Sequence, residues 1–194
     1  MGNSLLMTIS ASYTLNFLIY IQNIYLNQSQ SIKECKYPFF PSKITYNDDF
    51  ELKYKELWDE VAEIISKSKP QSNDMKIFYE EMDLFYQRLF VINSENFKKY
   101  TEIYESYLVW WESTAGQFCV EKSIDERGQK LYVELAKSLK QNGIESQRTL
   151  NICLVYDECL LANAEVSSYF AVLPINNFFS DYRNLVPKLI GCFY

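Results

Sequence analysis

Residues 7–22 alternate. The odd positions Met7, Ile9, Ala11, Tyr13, Leu15, Phe17, Ile19 and Ile21 are all apolar, and most even positions are polar. A period of two marks a half-buried strand. Length opposes one straight strand: the segment would span about 53 Å when extended, whereas a compact chain of this size is about 40 Å across. The segment is therefore expected to be a bent or paired strand, or a helix buried on most sides. No clean partner strand stands out elsewhere, which tilts the reading to helix.

The middle of the chain has a helical period. Over 48–68, Phe50, Tyr54, Leu57, Trp58, Val61 and Ile65 recur every three or four residues. Asp48 followed by Glu51 resembles a capping box, and Pro70 is expected to end that helix. A second helix over 73–92 would present Phe78, Met82, Phe85, Tyr86 and Leu89. Ser94 is placed to cap a third, with Phe97, Tyr100, Tyr104, Tyr107, Leu108 and Trp111 on its face and Gly116 beyond its end. Ser123 and Glu126 have capping-box spacing for a fourth, whose face is Leu131, Leu135 and Leu139 and whose stop is Asn142 followed by Gly143. A fifth, over 146–173, is apolar on most sides, as a central helix would be. A short sixth fits 177–190, limited by Pro187. Pro38 and Pro41 around Phe39 and Phe40 make 35–46 a connector. Together these elements predict an all-α fold: a single domain over 1–194, built as a helical bundle or stacked helical hairpins of five to seven helices, with 7–22 open between helix and strand.

Composition narrows the function. The net charge of −6 argues against direct nucleic-acid binding, whose footprint is basic. The absence of histidine removes Ser-His-Asp and Cys-His nucleophile systems and His-ligated zinc. Sixteen Tyr, 13 Phe and 3 Trp are expected to line helix–helix seams. The five cysteines contain no C-x-x-C pair and read as reduced thiols of a cytoplasmic protein. Residues 5–26 carry no charge, but Thr8, Ser10, Ser12, Thr14, Asn16, Gln22 and Asn23 interrupt the apolar run that a membrane span needs. A membrane-associated helical protein held by that segment is the weakest of three functional readings. The same apolar segment and the aromatic surplus are also what a homodimer would bury.

Two acidic constellations could carry function. Glu60 and Glu63 lie three apart on the first clear helix, and Glu80 and Asp83 three apart on the next. Residues three apart share a helix face, so an antiparallel hairpin could converge the four on Mg²⁺. The spacing resembles the E-x-x-E … E-x-x-D pattern of the all-α nucleotide pyrophosphohydrolases. That resemblance implies Glu60, Glu63, Glu80 and Asp83 as metal ligands. The competing reading is two solvated helix faces with pairs such as Glu63 and Lys67. The second constellation is Asp48, Asp49, Glu56, Asp59, Glu60 and Glu63, a surface that could meet a basic protein partner. The preferred reading is a non-enzymatic protein–protein interaction module, an acidic inhibitor or immunity-type protein needing no cofactor. The alternative is the Mg²⁺-dependent pyrophosphohydrolase.

Overall fold

The alternation at the N-terminus resolves into two elements. A strand, β1 (Leu6–Ala11), runs straight into a helix, α1 (Tyr13–Ser29). The computed structural model describes residues 5–29, 34–67, 70–163, 166–180 and 182–194. It continues with α2 (Phe50–Lys67), α3 (Pro70–Glu80), α4 (Met82–Leu89), α5 (Ser94–Trp111), a π-helical turn (Thr114–Phe118), α6 (Cys119–Lys122) and α7 (Asp125–Gln141). The rest is β2 (Thr149–Val155), β3 (Val166–Ser167), β4 (Phe170–Pro174), α8 (Asn177–Ser180), α9 (Tyr182–Ile190) and a closing 3-10 turn (Gly191–Phe193). The chain is thus mostly helical but not all-α. It divides into two compact units. The sheet unit holds Met1–Ser12, Gln117–Glu158 and Ala164–Tyr194, and the helical unit holds Tyr13–Gly116 and Cys159–Asn163.

In the sheet unit the strand order is β1-β2-β4-β3. β1, β2 and β4 are parallel, with Ile9 opposite Ile152 and Ile152 opposite Ala171. Two-residue β3 pairs antiparallel with β4. The expected helix over 146–173 is therefore wrong: β2 and β4 occupy its two ends. A strand covered on both faces is a continuous apolar run, and its pattern does not differ from that of a buried helix. Ile152–Val155 and all of β4 are buried in this way. Tyr169 takes a left-handed φ of 59° in the turn before β4, where its N–H donates to Cys192 O and its C=O accepts from Asn151 N–H.

α7 buries Leu131, Leu135 and Leu139, as its spacing predicted. Its stop is also as expected. Gly143 sits at φ 66°, its N–H donates to Lys140 O, and Ile144 N–H donates to Leu139 O. Those two bonds close a Schellman motif, which needs the left-handed residue that glycine supplies. The start differs: Ser123 Oγ donates back to Val120 O, so the capping box with Glu126 does not form, and α7 begins after Ile124 without a side-chain cap.

The helical unit is built on α1. Leu15, Phe17, Leu18, Ile19, Ile21 and Ile24 are fully buried, which is the mostly buried helix that 7–22 allowed. Its polar residues tie down connectors. Gln22 Oε1 accepts from Leu160 and Leu161 N–H, Asn27 bridges Lys36 and Pro38, and Gln28 Nε2 donates to Ser42 O. The Pro-containing connector thus hangs on α1 by amide side chains. Asp74 of α3, 4% exposed, closes the start of α1: its carboxylate accepts from Tyr13 N–H at 2.7 Å and Thr14 N–H at 3.0 Å. A carboxylate at a helix N-terminus satisfies unpaired donors and the helix dipole together.

α2 buries the expected face, but its N-cap is Asp49, whose C=O accepts from Lys53 N–H, rather than Asp48. The expected end of that helix at Ser68 lies outside the described residues, and Pro70 opens α3, a first-turn position proline favours. The expected helix over 73–92 is two helices meeting at Glu81, with neither glycine nor proline to mark the joint. α5 is capped by Asn93, which accepts from Asn96 N–H, instead of Ser94. Its buried stripe is Tyr100, Ile103, Tyr107 and Trp111. Phe97 is exposed and Tyr104 and Leu108 are half-buried, so the real face is rotated from the expected one.

Candidate functional site

The acidic residues singled out on α2 lie on its outer side, mostly with cations beside them. Asp49 pairs with Lys53 at 3.1 Å, and Glu63 pairs with Lys67 one turn on. Arg88 of α4 engages Glu60 with both terminal guanidinium nitrogens and lies 3.8 Å from Glu56. The Arg88 hydrogen bonds hold the Glu60 carboxyl below its ordinary range, and Glu60 in turn raises the guanidinium. Asp48 is exposed in the turn before α2, and Asp59 is half-buried.

The four carboxylates of the metal reading are not brought together. Glu60 and Glu63 are engaged by Arg88 and Lys67, Glu80 lies 3.8 Å from Lys76, and Asp83 is exposed at the start of α4. Among the described residues no group of three or more acidic or thiol side chains is gathered to hold a metal ion. Glu60 and Glu63 share α2, as expected, but Glu80 and Asp83 fall on different helices across the joint at Glu81, and Arg88, Lys67 and Lys76 lie beside Glu60, Glu63 and Glu80.

A different acidic site emerges on α5. Glu102, Glu105, Ser106, Val109 and Trp110 form one outward stripe of that helix, and with Tyr37 and with Ser113 just beyond the helix end they line a groove of about 550 Å³. Trp110 stacks on Tyr20 with ring centroids 5.9 Å apart and meets Tyr37 at 5.1 Å. Tyr37 arrives on the connector, which Asn23 holds by donating to Tyr37 O at 2.7 Å. Tyr20 Oη and Ser106 Oγ share a hydrogen bond of 2.9 Å. Burial raises the Tyr37 phenol to about 12, with Tyr20 adding to the shift, so the hydroxyl stays neutral. The charge in the groove is that of Glu102 and Glu105. Neither forms an ion pair among the described residues, in contrast to Asp49, Glu56, Glu60 and Glu63. Val109 is 77% exposed beside them.

Sequence reading missed this stripe because Tyr104 and Leu108 drew the apolar face of α5 one step round the helix. The available signal was an apolar Val109 and Trp110 following two acids at helical spacing. The connector's Tyr37 could not be assigned to α5 from sequence.

Set against known protein families, curated proteins and solved structures, the chain matches none. Among the described residues no helix is long and apolar enough to cross a membrane. Residues 5–26, on which the weakest, membrane-associated reading rested, hold β1 and most of α1.

Proposed function

We propose that the protein is a binding module for a basic protein partner, engaged by the α5 groove through a lysine or arginine side chain. The observation that carries this reading is the pairing contrast: among the described residues Glu102 and Glu105 pair with no cation, and an aromatic pair stands beside them. A cation over the face of Trp or Tyr gains about 0.5–2 kcal/mol, more when desolvated. Adjacent carboxylates steer its approach and select against anionic partners. The exposed Val109 supplies an apolar contact for the alkyl stem of such a side chain. A partner whose own cationic surface is filled in this way is blocked, which keeps the inhibitor-type expectation as the consequence of binding. The acidic face moves from α2 to α5.

Trp110 makes the test direct, because Trp58 and Trp111 are fully buried. Fluorescence of the full chain is titrated with a hexaarginine peptide at low and high salt, with hexaglutamate as control. The expected result is a salt-sensitive change with hexaarginine alone. Replacing Glu102 and Glu105 together by lysine removes it, whereas the pair Asp59→Lys and Glu63→Lys leaves affinity within about twofold, since exposed charges at a distance are screened. Equal loss from both pairs, or no response to hexaarginine, overturns the reading.

A further inference from the structure

We infer that the free edge of β1 takes up an extended, basic-and-apolar segment of a partner chain as an added strand. β1 is the terminal strand of the order β1-β2-β4-β3. Along a strand, the backbone groups of successive residues point to opposite edges. Ala11 N–H donates to Glu121 Oε1 at 3.0 Å, and Leu5 O accepts from Tyr132 Oη at 3.1 Å. The odd residues of β1 therefore face away from β2. Between those two anchors, Met7 and Ile9 turn two N–H and two C=O groups to the same edge. No hydrogen bond to them on that side is formed among the described residues.

Met7 and Ile9 also line a groove of about 500 Å³, with Leu154, Ile124 and Val133 supplying further apolar lining and α6 and α7 the wall. Gly128 sets the closeness of that wall: a Cβ there would stand 3.1 Å from Ile9 Cδ1. From Leu5 to Ala11 the edge runs about 20 Å at ~3.3 Å per residue, enough for five or six residues of an incoming strand. Unpaired edge groups are a template for such addition, and proteins usually guard them with Lys, Pro or a bulge. β1 is Leu-Met-Thr-Ile-Ser-Ala, with no charge and no proline, and Leu6 is 59% exposed.

Charge selects the occupant. Lys122 is engaged by Asp125 at 2.7 Å. The groove's lining carries Glu121 and Asp125 against Lys122, so the charge left over is that of Glu121, which also holds Ala11 N–H. A segment alternating apolar residues with Lys or Arg complements both the apolar lining and this charge. A second copy of the chain does not: its own β1 carries no cation, and each copy brings a net charge of −6. The inference is independent of the α5 groove, which belongs to the helical unit.

The test is residue-resolved hydrogen exchange of the full chain with an eight-residue alternating valine–lysine peptide. The controls are the same peptide N-methylated at alternate residues and a valine–glutamate peptide. Without peptide, the amides of Met7 and Ile9 exchange faster than those of Thr8 and Ser10. With valine–lysine peptide, Met7 and Ile9 slow at least tenfold, and methylation on the pairing edge weakens binding at least tenfold. Binding that is indifferent to methylation, absence of protection at Met7 and Ile9, or equal protection by valine–glutamate each overturns the inference. So does protection at those amides without peptide accompanied by a dimer in sedimentation, which would make a second copy the occupant. Glu102→Lys with Glu105→Lys, which disables the α5 groove, leaves this protection unchanged.

Discussion

In the helical unit, Phe17 of α1 meets the rings of Phe78, Phe85, Tyr100, Tyr104 and Tyr107, supplied by α3, α4 and α5. In the sheet unit, the corresponding centre is the buried ladder of Ala11, Leu154 and Leu173 with Ile152 and Val172 beside it, drawn from strands up to some 160 residues apart in the chain. The first core joins α1 to helices that follow it by 61 to 90 residues, across the connector over 35–46. The second depends on contacts of high sequence separation, which carry a larger loop-closure cost before they form. Aromatic rings suit the first arrangement because tilted and edge-on pairs fill the irregular spaces between crossing helices. Compact aliphatic residues suit the second, where neighbouring strands lie only about 4.8 Å apart.

The contrast can be broken at its hub. Phe17→Ala should destabilise the protein by about 4 kcal/mol, the range for a buried Phe truncated in a tight core. Urea unfolding measures it, and a cost near 1 kcal/mol would mean that the ring cluster is not what holds the helical unit. Asp74→Ala comes next. It leaves two N–H groups at the start of α1 without their acceptor, and about 2 kcal/mol should be lost. Asp74→Asn should recover part of that, since one amide oxygen remains.

The sheet unit is probed by Gly143→Ala, which puts a Cβ in a left-handed position and should cost about 1 kcal/mol. Thermal unfolding should show a fall of a few degrees. Smallest is the exposed pair Glu60–Arg88. A carboxylate held below its ordinary range stabilises the fold above the unfolded-state value, and that contribution disappears as pH falls through the lowered value. Glu60→Gln should therefore cost less than about 1 kcal/mol at neutral pH, because solvent screens the pair. At about pH 3 wild type and variant should differ less. A pH-independent difference would point to packing rather than charge.

Legibility followed the range of the contacts rather than the two units. The faces of α2 and α7 and the stop at Gly143 could be read from spacing, because each depends on residues within one or two helical turns. The joint at Glu81 could not, since no breaker marks it. Nor could the strand character of 149–155 and 170–174, where burial on both faces erases the alternation that distinguishes strands. At the candidate sites, the acids of α2 were visible by composition, but Arg88 lies 28 residues beyond Glu60. Its neutralising role is a tertiary fact.

By itself the sequence determined which residues are buried in most helices, where several helices begin and end, and that aromatic side chains would dominate their seams. These follow from periodicity, capping and the reach of side chains along one helix. Tertiary structure alone decided that 7–22 splits at Ser12 into strand and helix and that the apolar C-terminal runs are parallel strands. It also decided which carboxylates meet cations within the fold and which face solvent beside Trp110. The physical reason is the same throughout: hydrophobic burial is non-directional and satisfied equally by helix or strand, so the choice falls to long-range hydrogen-bond and charge partners that local sequence does not contain.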